Sequence, residues 1–137
     1  MLPVGCIAVL NAVSGECERA SLKVSEADLP GTYRGPDGMR ITLEPLARGG
    51  RLQVQNWPKD PFLDDGRRFR GRGSWSYQVV EATNGERIPH VELGFEGVSF
   101  DDIPVEDQYL LVGGTPEKPV LLEQDDPDNC PDAEFRQ

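Results

Sequence analysis

The chain is poor in the residues that build metal centres and catalytic relays. It holds one histidine, His90, and three cysteines, Cys6, Cys17 and Cys130, with no Cys-x-x-Cys pair among them. A structural zinc site takes four sulfur or nitrogen ligands at close spacings, and no such pattern is present. No metal and no organic cofactor is expected. No apolar run approaches the ~20 residues that a helix needs to cross a bilayer. Bases are scarce: 14 Lys and Arg stand against 24 Asp and Glu, a formal net charge of −10. A field of that sign repels nucleic acid and anionic lipid and would favour a basic partner, although solubility alone is the simpler account of the charge.

What is abundant is punctuation. The 137 residues include 15 glycines and 12 prolines, a composition that suits many turns and short strands. Two motifs put a glycine two residues before a large aromatic, Gly31-Thr32-Tyr33 and Gly73-Ser74-Trp75. The glycine lets the backbone bend or be approached closely, and the aromatic fills the end of a small barrel.

Ser25-Glu26-Ala27-Asp28 reads as one capped helical turn. Strands are expected over 31–35, 39–44, 51–56, 67–80, 87–95, 107–112, 118–124 and 132–137. Several of them alternate apolar and polar residues, and Asn84-Gly85 is the strongest hairpin signal. Residues 57–66 and 97–106 read as long irregular loops. Eight short strands with turn signals between them predict an all-β, single antiparallel barrel over 25–137. Its core is expected to hold Tyr33, Ile41, Leu43, Leu52, Val54, Trp75, Tyr77, Val91, Leu93, Leu111, Val120 and Leu122. Residues 1–24 form a lead. Met1–Ser14 is apolar, uncharged and ends in small residues, like the apolar region of an export signal, but it lacks a basic start. The alternative is an ordinary first strand. The first places the protein outside the cell or in its envelope, with Cys6 removed, lipidated or free; the second leaves it cytoplasmic.

Three stretches together resemble a known group: Asp28–Gly38, then Gly71-Arg72-Gly73-Ser74-Trp75, then Asp126-Pro127-Asp128-Asn129-Cys130 followed by Phe135-Arg136. Their order is similar to that in small exported domains, many of them lipoproteins, of high-GC Gram-positive bacteria. The resemblance implies a lipocalin-like or avidin-like barrel and carries no catalytic residues. Tyr33 stands where that group has tryptophan.

In a closed barrel the first and last strands are neighbours. Cys17 stands before the first and Cys130 before the last, so a Cys17–Cys130 disulfide is expected, in keeping with an oxidising compartment.

Candidate chemistry is thin. Asp125, Asp126, Asp128 and Asn129 carry oxygens of the kind calcium takes, but the spacing is not a calcium loop and Pro127 makes a tight turn the simpler account. The pairs Asp101-Asp102 and Glu106-Asp107 lack a partner in any catalytic context, and no Gly-x-Ser-x-Gly elbow surrounds Ser74 or Ser76. No enzyme is expected. Two binding readings remain, each with a monomer expected. In the first, an envelope barrel takes a small ligand under Trp75 and Tyr77, with Trp57 and Phe69 at the mouth; the simpler reading of Trp57, Phe62 and Phe69 is that they plug the barrel end. In the second, an immunity or inhibitor protein covers a basic toxin with Asp101, Asp102, Glu106, Asp107, Asp125 and Asp126. Residues 101–137 carry eleven acids against two bases. The run Arg67-Arg68-Phe69-Arg70-Gly71-Arg72 is expected to lie opposite that third, where it gives either internal charge balance or an anion-facing patch on the barrel rim.

Overall fold

A computed structural model describes residues 17–60, 66–123 and 130–137. Eight strands close into one antiparallel barrel. They are β1 (Gly31–Arg34), β2 (Arg40–Leu43), β3 (Arg51–Pro58), β4 (Arg68–Glu81), β5 (Arg87–Glu96), β8 (Gln108–Gly114), β9 (Pro119–Glu123) and β10 (Ala133–Arg136). A two-residue ladder, β6 (Ser99–Phe100) with β7 (Ile103–Pro104), rises from the second of the two long loops. Each barrel strand pairs with its neighbour in sequence, and β1 returns to β10 through the register pair Arg34↔Arg136. The helical turn is a single 3-10 turn over Glu26–Asp28, where the Ser25 N–H and hydroxyl both donate to the Asp28 carboxylate at 2.8 and 2.9 Å.

The inward face holds most of the expected core. Tyr33, Ile41, Leu43, Leu52, Val54, Trp75, Val91 and Leu93 are buried, and Tyr77 packs half-buried against them. Both Gly-x-aromatic motifs place their aromatic inside the barrel. The phase differs in β8 and β9. Leu110, Val112 and Leu121 face the core instead of Leu111, Val120 and Leu122. All five residues of β9 are buried, so its outer face is covered as well. A strand apolar on both faces carries no alternation from which to read its phase.

Part of that cover comes from the lead, whose Arg19 carbonyl lies over Gly113 beside Leu122 Cδ1. Residues 17–24 cross the outer wall as a strap. Pairing of β5 with β8 stops at His90↔Leu111, and Ala20 bridges Gly113 in the vacated position. The Ser21 N–H donates to the Val112 carbonyl at 2.8 Å. Pro89 lies one residue past the last β5 position that pairs with β8, and a proline has no N–H to offer a neighbouring strand. Cys17 and Cys130 are joined by a disulfide with alpha carbons 5.7 Å apart, which ties the strap to the segment leading into β10. The strap then turns under the barrel, where Val24 and Leu29 are fully buried. Their carbonyls accept the Tyr77 hydroxyl (3.3 Å) and the Tyr33 hydroxyl (2.6 Å). Cys6 and the Met1–Ser14 segment lie outside the described residues.

Tyr33 gives this floor a pH dependence. Burial pushes its phenol up to about 12, so the fold holds the neutral form more strongly than the unfolded chain does. That stabilisation is complete below about pH 10 and is lost as pH rises through 12. It amounts to about 2–3 kcal/mol. Burial raises the half-buried Tyr77 in the same direction. Urea unfolding between pH 8 and 12 should show this decline, and Tyr33→Phe should flatten it. The same variant should lower stability by about 1 kcal/mol at neutral pH, where the Leu29 carbonyl loses its donor. An unchanged slope in Tyr33→Phe would reject the assignment.

Candidate functional site

Val24 and Leu29 close the floor end of the barrel, and the opposite end forms an open rim. There β3 carries a bulge between Val54 and Trp57. Asn56 takes a left-handed φ of 51° inside it, a conformation that asparagine tolerates. The extra residue shifts the side-chain phase by one, so Trp57 turns inward and the strand runs on to Pro58 rather than stopping at Asn56. Trp57 is fully buried and packs on Phe135 with ring centroids 5.1 Å apart. Its indole N–H donates to Gln108 Oε1 at 2.8 Å. The Gln108 amide nitrogen donates in turn to the carbonyls of Pro58 (3.2 Å) and Lys59 (3.1 Å). This buried amide therefore fastens β3 to β8 with its oxygen and nitrogen both engaged.

The four aromatics expected around a ligand cavity are packing residues in this arrangement. Trp57, Phe69 and Trp75 are buried. The Trp75 indole N–H is held by the Glu44 carbonyl at 2.7 Å, and the Tyr77 hydroxyl by Val24. Phe69 meets Phe95 edge-on at 5.1 Å and Phe100 at 6.3 Å. This aromatic cluster carries the β6–β7 ladder above the rim.

Beside that ladder lies a groove of about 370 Å³. Val105 and Gln108 form its buried floor. Ile103 and Tyr109 stand in its walls, 64% and 54% exposed. Asp60, Glu106 and Asp107 bring carboxylates to it against one base, Lys59. Tyr109 is also flanked edge-on by His90, 6.1 Å away on the outer wall. Of the acids expected on a partner-binding face, Asp101 and Asp102 form the turn of the ladder, both at left-handed φ. Asp101 is paired with Arg67 at 3.1 Å, whose guanidinium also lies over the Phe100 ring at 5.3 Å. The expected charge balance between the basic run and the acidic third is thus present at this pair. Glu106 and Asp107 are exposed on the groove. Phe62, Asp125 and Asp126, and the turn with Asp128 and Asn129, lie outside the described residues.

Scans against protein-family models, curated proteins and solved structures returned no match. Among the described residues no group of three or more His, Cys, Asp or Glu is placed to hold a metal ion, and no helix is long and apolar enough to cross a membrane. Ile103, Tyr109 and Gln108 have no signal in the sequence. Ile103 sits in a stretch that reads as irregular loop, and Tyr109 in a strand whose exposed face only the fold defines.

Proposed function

We propose that the protein is a non-enzymatic binding protein that docks a cationic protein partner in the groove beside β6–β7, working as an inhibitor or immunity protein does. The observation that carries this reading is the exposure of Ile103 and Tyr109 within a rim of carboxylates. Apolar side chains left in solvent and ringed by polar ones are how docking surfaces are built. The carboxylates select a partner of positive charge and steer its approach. The barrel is the scaffold: its interior is occupied by Trp57, Trp75, Tyr33 and Phe135, which supports the reading with the partner outside over a small ligand within. The protein acts as a monomer outside the cell or in its envelope. The Cys17–Cys130 disulfide supports that location, since such bonds persist in oxidising compartments. A lipid anchor through Cys6 belongs to the same proposal.

The test uses the oxidised full chain and two synthetic peptides, one with a central leucine flanked by lysine and arginine, the other with those bases replaced by glutamate. Calorimetric titration should detect the first peptide only, and its affinity should fall as salt rises. Reversing the rim with Glu106→Lys and Asp107→Lys should weaken binding by about tenfold or more. Equal binding of both peptides, or of the reversed variant, would reject the proposal, as would no binding of the cationic peptide.

A further inference from the structure

The strap contributes a short piece of strand to the gap between β5 and β8. There Ala20 bridges Gly113 and Ser21 bonds Val112. The site is shaped for this guest. A Cβ on Gly113 would stand 2.6 Å from the Arg19 carbonyl oxygen and 3.2 Å from Leu122 Cδ1, so glycine is what lets the strap backbone lie so close. The apolar wall beneath is buried, with Val120 and Leu122 at 2% and 0% exposure although both point away from the core. The two halves of the strap are held differently. Val24 and Leu29 anchor the second half in the floor. Among the described residues the first half is held by the disulfide, the Ala20–Gly113 bridge with its Ser21–Val112 hydrogen bond, and an exposed ion pair, Glu18 with Arg136 at 3.4 Å. An exposed turn at Leu22-Lys23 separates the halves.

We infer that the gap between β5 and β8 is a strand-accepting site for a second copy of this chain, kept filled from within by the Cys17–Cys130 bond. Opening that bond frees residues 17–21 to swing on the Leu22-Lys23 turn. The same residues of another copy carry the same sequence and fit the same gap, so two molecules exchange straps reciprocally. Cys130 is exposed, which admits a dithiol reductant. Its thiolate attacks the bond, both protein sulfurs leave as thiols, and the two electrons and two protons come from the dithiol, which closes to its own cyclic disulfide.

The test uses the full chain carrying Cys6→Ser. The oxidised protein should be monomeric by light scattering at every concentration. After reduction with dithiothreitol, dimer should grow with concentration and dominate on the order of 1 mM, the effective concentration of a short tethered segment. Reoxidation at that concentration should trap dimers joined by intermolecular Cys17–Cys130 bonds, identified by mass spectrometry. Gly113→Val should abolish the dimer by filling the gap. Near-ultraviolet circular dichroism of the buried tryptophans monitors the fold throughout. A reduced protein that stays monomeric, reoxidises only to monomer or loses its tryptophan signal would overturn the inference, as would a reduced Gly113→Val chain that dimerises equally.

Discussion

Gly73→Ala should be among the most damaging single-methyl additions in the chain. Gly73 lies in β4 opposite Phe95 of β5 and Leu52 of β3. A Cβ built there falls 1.7 Å from the Gly94 carbonyl oxygen and 3.0 Å from the Phe95 alpha carbon. Both obstacles are backbone, so no rotamer change relieves the clash and two strands must move apart. Overpacking of this kind costs about 3 kcal/mol. Gly85→Ala is the informative control. Gly85 has a φ of +86° and nothing within 4 Å of its missing Cβ, so its substitution costs only the left-handed penalty of about 1–2 kcal/mol. Denaturant midpoints should therefore rank wild type, then Gly85→Ala, then Gly73→Ala. A Gly73→Ala protein within about 0.5 kcal/mol of wild type would mean that the strands do not approach this closely.

Phe135→Ala should lower stability by about 3–5 kcal/mol. Phe135 is fully buried, stacks on Trp57, and pairs in register with Leu121. Its ring also covers the backbone of Gly35, where a Cβ would come within 2.4 Å of the ring carbons. The truncation removes the side chain that fastens the last strand to both the rim and the first turn. Trp57 then borders a void, and its fluorescence should shift to the red in the folded protein. A loss below about 1.5 kcal/mol, the size of a tolerated volume-conserving swap, would show that β10 is held by other contacts.

Architecture was more legible in this chain than function, for a physical reason. Where one face meets the core and the other meets water, alternation reports strand, register and phase together, as at Met39–Leu43 and Arg51–Val54. Turn residues such as Asn84-Gly85 and Asp37-Gly38 then set the order. The pairing of Cys17 with Cys130 followed from closure of the barrel alone. Legibility fails where a second layer or an irregularity intervenes. β9 is buried on both faces and apolar on both, so Leu111, Val120 and Leu122 could not be told from Leu110, Val112 and Leu121. The bulge at Asn56 turns Trp57 inward, and that phase shift decides between the plug and the mouth that the sequence left open for this residue. Glu106 and Asp107 could be picked out as acids. That they share a groove with Ile103 and Tyr109 depends on how the β6–β7 ladder folds back over the rim, which no local pattern encodes.

The seam at Arg34↔Arg136 has a consequence for the order of assembly. Every other barrel joint links strands adjacent in sequence, and the longest of them, β4 with β5, closes over the five-residue turn 82–86. Such hairpins form early, because little chain entropy opposes bringing their ends together. The seam instead joins segments about 100 residues apart, for which loop closure opposes by about 4 kcal/mol if nothing between is yet folded. Once the meander has wound itself round, most of that entropy has already been surrendered hairpin by hairpin, and β10 arrives beside β1 almost without further search. A single register pair is then enough to shut the ring, and the same winding carries the segment leading into β10, with Cys130, round to the wall where Cys17 lies.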